Sequence, residues 1–224
     1  MLKAIRTIAM CLLLTSALHK SEAQEFPQHI TESPFVATRI VTSTDVKGEH
    51  ITFGTIARRS DGSVYFEMKS VDGKGTVVIW NMTQHRGIQL YPEAHVFTLF
   101  SFDLKPQTLP PGYAQNFLSS VEASGSKRTS GDWEITTIGV REMEGLQTVG
   151  YLQTTAQGRS FEHWYSPVLG FNVVSKGYQP ADGVKLETHI QQIQLREPDA
   201  KLFEIPDGYV QDKRNATATG AVAR

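Results

Sequence analysis

The sequence predicts a mainly β fold: a curved antiparallel sheet of about ten or eleven strands, an open half-barrel wrapped around one short helix. Three observations predict it. Apolar and polar residues alternate with period two over most of the chain from Phe35 onward. Gly-containing turn signals recur every 8–12 residues or so, which leaves no room for helical crossovers. Helical spacing is seen in one stretch, Tyr113 to Ala123.

The chain opens with a segment that the fold does not need. Residues 1–23 carry Lys3 and Arg6, then an apolar run from Thr7 to Leu18, then Ser21 and Ala23 at −3 and −1 of a cut before Gln24. This is the pattern of a secretory signal peptide, and the run is shorter than the roughly 20 residues a membrane helix needs. Cys11, the one cysteine, lies inside it. After cleavage the chain has no cysteine and no transmembrane span, and 19 basic against 22 acidic residues give a formal charge of −3. A periplasmic or secreted location follows, with a fold held by packing rather than by disulfides. Gln24 to Pro34 is short, polar and interrupted at Pro27 and Pro34, so residues 24–34 are expected to be a flexible segment before a single domain over 35–209.

The strands then follow in order. Phe35 to Thr44 is rich in Val, Ile and Thr, which suit a pleated surface. His50 to Arg58 alternates, and Asp61-Gly62 turns it back, because Gly accepts the positive φ of a hairpin turn. Val64, Phe66 and Met68 alternate with Tyr65, Glu67 and Lys69. Asp72-Gly73-Lys74-Gly75 turns into Thr76 to Trp80, and Ile88 to Tyr91 closes at Pro92. His95 to Phe102 is apolar on both faces, which places it centrally or under a cap. Pro110-Pro111-Gly112 stops the series. The helix puts Tyr113, Phe117 and Val121 on one side at i, i+4, i+8, with Ala114 and Leu118 beside them. Ser124 to Asp132 is polar and Gly/Ser-rich, and reads as a flexible loop or joint.

A second meander begins at Trp133 to Val140. Glu144-Gly145, Gln157-Gly158, Pro167 to Gly170 and Pro180 to Gly183 separate Leu146 to Thr155, Arg159 to Tyr165, Phe171 to Tyr178 and Val184 to Leu195. In the last of these, Val184, Leu186 and Ile190 are apolar at even positions, and Ile193 and Leu195 at odd ones. That phase change predicts a β-bulge at Gln191 or Gln192. Leu202, Phe203 and Ile205 should anchor the turn Pro198 to Tyr209 on the sheet, and residues 210–224 are expected to be disordered.

The charge near zero excludes a basic nucleic-acid footprint. The search for catalysis is empty. The six histidines outside the leader, His29, His50, His85, His95, His163 and His189, show no zinc-protease spacing. Gly158-Arg159-Ser160 leads into a strand rather than a nucleophile elbow. Gly73-Lys74-Gly75-Thr76 lacks the helix that a phosphate loop needs. One arrangement would bring chemistry: His163 and His189 facing each other on neighbouring strands beside Glu162 or Glu187, with Ser160 nearby, as a metal or hydrolytic site. Arg58 and Arg59 read as a solvated strand end, or as a dock for an acidic partner or lipid headgroup. The aromatic and aliphatic residues Trp80, Phe97, Phe100, Phe102, Phe117, Leu118, Trp133 and Trp164 are either packed core or the lining of an apolar ligand cavity.

Four stretches carry a family resemblance: Ile56 to Gly62 (IARRSDG), Gly145 to Tyr151 (GLQTVGY), Glu162 to Pro167 (EHWYSP), and Glu197 to Pro206 (EPDAKLFEIP). Their order resembles bacterial secreted proteins of the acidobacterial kind. Through their strand order these are similar to the periplasmic lipoprotein-carrier superfamily, which holds outer-membrane lipoprotein-sorting proteins and anti-sigma-factor regulators of related fold. The resemblance covers residues 35–209. It implies an open β-barrel with an apolar cavity for acyl chains or another greasy ligand. The function expected is therefore a non-enzymatic periplasmic carrier for a hydrophobic small molecule or lipid, without a cofactor. The alternative is a protein-interaction or envelope-stress sensor module whose partner is an envelope protein.

Overall fold

The structure is a computed structural model and describes residues 29–212. The leader with its cut, residues 24–28 and residues 213–224 lie outside the described residues. β1 (Ile30–Thr31) precedes the first meander, which comprises β2 (Phe35–Asp45), β3 (Gly48–Arg58), β4 (Val64–Ser70), β5 (Gly75–Asn81), β6 (Arg86–Tyr91) and β7 (Val96–Ser101). A crossover follows, with β8 (Gln107–Thr108) and the helix α1 (Tyr113–Ser119). The second meander is β9 (Lys127–Ser130), β10 (Trp133–Met143), β11 (Leu146–Thr155), β12 (Ser160–Ser166), β13 (Phe171–Gln179) and β14 (Val184–Gln194). The chain closes with a 3-10 turn, Ala200–Phe203, and β15 (Val210–Gln211).

Thirteen strands form one curved, unclosed sheet in the order β15-β7-β6-β5-β4-β3-β2-β14-β13-β12-β11-β10-β9. The first meander walks outward from β2 to β7, the crossover carries the chain to the opposite edge, and the second meander walks back until β14 pairs with β2. Hairpin turns join neighbours at minimal loop cost, so the sheet is antiparallel wherever the strands are consecutive. The expected strand count and the wholly antiparallel sheet need correcting. Segments of two residues that carry no alternation to read add two parallel pairs: β15 joins β7 at the edge of the sheet, and β1 pairs with β8 as a separate two-stranded sheet. Ile30, within the segment expected to be flexible, is fully buried, and Val210, in the expected tail, lies beside Val96.

Two further expectations change. The helix ends at Ser119 rather than Ala123, and none of its residues is fully buried. The polar loop Ser124 to Asp132 contains β9, which pairs with β10 as an edge strand with all four residues exposed. Polarity reads as loop, yet Lys127 and Arg128 suit an edge, where charge blocks further pairing. The bulge stands where expected: pairing of β14 with β2 shifts between Gln191 and Gln194, and Gln192 has φ of 56°.

Alternation divides the sheet into two faces, and each has a core. On the face traversed by the crossover, Phe35, Ala37, Ile56, Phe66, Phe171, Val173 and Ile190 are buried together with Leu169. On the other, Ala57, Tyr65, Val77, Ile79, Ile88 and Leu90 are buried under Phe203, with Leu202, Ile205 and Tyr209 packed beside it. The residues 198–209 thus form a strap anchored as the sequence predicts. The strap also explains β7, which lies next to the edge yet is apolar on both sides: Phe97 and Leu99 meet this second core.

Candidate ligand-binding face

The crossover face of β10–β14 carries an aromatic row. Register places Trp133 on β10 opposite Thr155 on β11, and Phe161 and His163 on β12 opposite Gln153 and Tyr151. All of these point to one face, because directly opposed residues share a side. Trp133 meets Phe161 at 5.6 Å between centroids, and Phe161 stacks on His163 at 5.9 Å with an interplanar angle of 4°. Gly177 on β13 leaves the room for Phe161: a Cβ there would stand 2.8 Å from the ring. Farther along β12, Tyr165 receives the helix. The Phe117 ring lies 5.3 Å from it, and the Tyr113 and Tyr165 hydroxyls are 3.4 Å apart.

His163 is the polar member of the row. Its Nδ1 lies 3.1 Å from Ser175 Oγ and 3.3 Å from Asn172 Nδ2. Burial pushes the imidazole down to about 4, against the pull of neighbouring Glu162, so the ring is neutral at neutral pH and acts as an aromatic surface. Burial, assisted by Tyr113, raises Tyr165 above the ordinary phenol range.

The eight aromatic and aliphatic residues singled out from the sequence fall in four places. Trp80, Phe100 and Phe102 gather at the end of the first meander, with ring centroids 6.5 Å apart in each successive pair, and His29 stacks on Phe102 at 6.2 Å. Phe117 and the half-buried Leu118 sit on α1, and Trp133 sits in the row. Phe97 and Trp164 lie on the opposite face, Phe97 with the strap core and Trp164 over Gly150. Sequence reasoning missed Phe161, Tyr165 and Tyr151. Their signal was alternation within β11 and β12, but only the register across three strands joins them to Trp133.

The arrangement of His163 facing His189 is corrected. His163 opposes Ser175, whereas His189 opposes Val174 on the other face, one residue out of phase. His189 instead lies 2.7 Å from Glu187, and among the described residues no three His, Cys, Asp or Glu side chains are grouped to hold a metal. Arg58 is corrected too. It is not solvated but fully buried: its Nε donates to the Ser33 carbonyl at 2.9 Å and its guanidinium lies 5.1 Å over Phe35. Burial lowers it to about 10. Arg59 keeps the exposed role and pairs with Glu197 at 3.3 Å.

A shallow cleft of about 300 Å³ opens where the β10–β11 hairpin tip meets the β14 bulge. Arg141, Met143, Glu144, Val174, His189 and Gln191 contribute to its lining. The Arg141 guanidinium lies 3.7 Å over the Trp164 ring, and Glu144 accepts from the Gln192 backbone N–H at 2.8 Å. The hairpin is thereby fastened to the bulge, which makes this cleft a structural seam.

No family model matches the sequence, and no curated protein matches it. Several solved structures are similar. One is MucB of Pseudomonas aeruginosa in its complex with MucA, at 14% identity and a TM-score of 0.44, covering 77% of this chain and 56% of that one. This chain thus spans little more than half the length of that relative. Another is a putative outer membrane lipoprotein-sorting protein domain from Vibrio parahaemolyticus, at 7% identity and a TM-score of 0.28, covering 74% of this chain and 87% of that one. A third is a LolA superfamily protein from Nitrosomonas europaea, at 12% identity and a TM-score of 0.23, covering 85% and 96%.

Proposed function

We propose that this chain is a non-catalytic binding module of the bacterial cell envelope that holds a hydrophobic ligand, a lipid or acyl chain, against the crossover face of its curved sheet. The observation that carries the reading is the row Trp133–Phe161–His163. Three rings lie in succession on one face, half-buried rather than sealed into either core. Apolar sites for small ligands are concave, aromatic-rich and sparingly polar, and the row supplies that chemistry on a curved support. The leader pattern supplies the envelope location, and a neutral His163 keeps the row apolar at neutral pH.

Native mass spectrometry of protein purified from the envelope of producing cells tests this. Adducts of acyl-chain mass are expected, and delipidated protein should take up oleate with a change in Trp133 emission that Trp133→Phe abolishes. Bare protein that takes up no lipid overturns the reading. A protein partner is the second reading. It is favoured by Ile51 and Phe53, which are 38% and 42% exposed on the opposite face of β3. Crosslinking of one specific envelope protein through that pair, in a chain without lipid, would replace the first reading.

A further inference from the structure

The two faces of the sheet differ in charge as well as in covering. On the crossover face lie Arg39, Arg58, Arg128 and Arg159, each against an aromatic ring: Phe66 at 5.0 Å, Phe35 at 5.1 Å, Tyr151 at 5.3 Å and Trp133 at 5.6 Å. Register places carboxylates on this face at hairpin ends, Asp45 and Glu142, away from the aromatic row. On the opposite face the carboxylates are numerous and satisfied. Glu67 meets Lys69, Glu134 meets Lys127, Glu162 accepts from Trp164 Nε1, and Glu187 meets Lys176 and His189. Arg141, over Trp164, is an arginine of the opposite face; on the crossover face the four ring-bound arginines include two, Arg128 and Arg159, at the candidate ligand row.

Arg159 is the informative member. It directly precedes β12, and its backbone N–H and carbonyl close the turn on Thr155, so its position is fixed. Its guanidinium lies over Trp133, on whose ring Phe161 also packs. The buried Nε of Arg159 has no hydrogen-bond partner among the described residues. A buried donor without an acceptor is costly, and a guanidinium donates best to the oxygens of a carboxylate or phosphate. Arg128, by contrast, already has Glu122 at 3.8 Å.

We propose that the ligand of the crossover face is an anionic amphiphile, its carboxylate or phosphate head held by Arg159 and its acyl chain laid along Trp133, Phe161 and His163 towards α1. This rests on the preceding reading that the face binds an apolar ligand, and adds the class of head group. An alcohol or ester head would leave the Arg159 charge unmatched, whereas an acid satisfies it.

The test titrates the delipidated mature protein with oleate, oleyl phosphate and oleyl alcohol below their aggregation concentrations, with inorganic phosphate as a fourth arm. Both acids should bind about 10-fold or more tightly than the alcohol, the strength expected of a charge-assisted hydrogen bond. Arg159→Gln should bring the acids to the level of the alcohol measured on the same variant, and Arg159→Lys should restore part of the preference. Acids and alcohol binding within about twofold of each other overturn this inference while leaving the apolar reading standing. Inorganic phosphate binding as tightly as oleyl phosphate overturns it in favour of a free anion. If none of the oleyl compounds binds, the preceding reading fails and takes this one with it.

Discussion

Gly87, Gly150 and Gly177 stand directly opposite Phe100, Trp164 and Phe161 in the β6–β7, β11–β12 and β12–β13 pairs. In each case the ring lies across the glycine, and an added Cβ would collide with it. Glycine weakens a strand by its backbone entropy, and the ring that covers it recovers contact area. The same residue-by-residue logic governs His163. Its folded value of about 4 lies below the roughly 6.5 of an unfolded histidine, so the unfolded chain takes up the proton first as pH falls. The stability tied to the neutral ring is intact above about pH 6.5 and declines from there towards pH 4. Urea unfolding at pH 7 and pH 4.5 should show a loss of about 2.5 kcal/mol from this group, which His163→Gln should not suffer. Equal acid losses in the two proteins would mean that the ring titrates normally.

At the scale of the element, β14 shows how one inserted residue serves two ends. The bulge lets Ile190 and Ile193 both find apolar neighbours although their spacing is odd. It also turns the Gln192 N–H towards Glu144, which ties the β10–β11 hairpin to the centre of the sheet. That hairpin turns through Glu144 and Gly145, with φ of 50° and 75°, the two-residue turn that matches strand twist. Gln192→Gly should gain about 0.5–1 kcal/mol by removing the strain of a side chain at positive φ. Glu144→Ala should cost about 1 kcal/mol through the lost carboxylate acceptor. Urea midpoints of the two variants check both. A destabilising Gln192→Gly would show that its side-chain bond with Thr38 outweighs the backbone strain.

For the molecule as a whole, the decisive contact is that between β2 and β14, which joins two meanders into one sheet. Each meander is local in sequence, while this seam closes nearly the whole length of the domain and so bears the loop-closure entropy. The strap then covers the first meander from the other face. Phe203→Ala should cost about 3–5 kcal/mol, as for a buried aromatic, and should speed amide exchange in β4–β6 before β11–β13. Thermal unfolding and exchange measure the two effects. A cost below about 1 kcal/mol would mean that the strap lies on the sheet without sealing it.

Much of this was legible in the sequence. The alternation of β2–β7 and β10–β14, the Asp61-Gly62 and Glu144-Gly145 turns, the start of α1 at Tyr113, the bulge at Gln192 and the anchoring of Leu202, Phe203 and Ile205 are all local properties, set by period two, by helical period or by the φ a glycine permits. The site was legible only in pieces. Trp133 was singled out, but Phe161 and Arg159, across an intervening strand, were not joined to it. Arg58, which local pattern assigns to solvent, is buried by Phe35 and Ser33 from another strand and loop. Alternation determines that each strand has two faces, but it does not say which face of one strand coincides with which face of the next. A slip of one residue in register would move every side chain to the other side. The strands and their turns were therefore determined by the sequence alone, while the tertiary pairing decided which face gathers the aromatic row and places Arg159 over it.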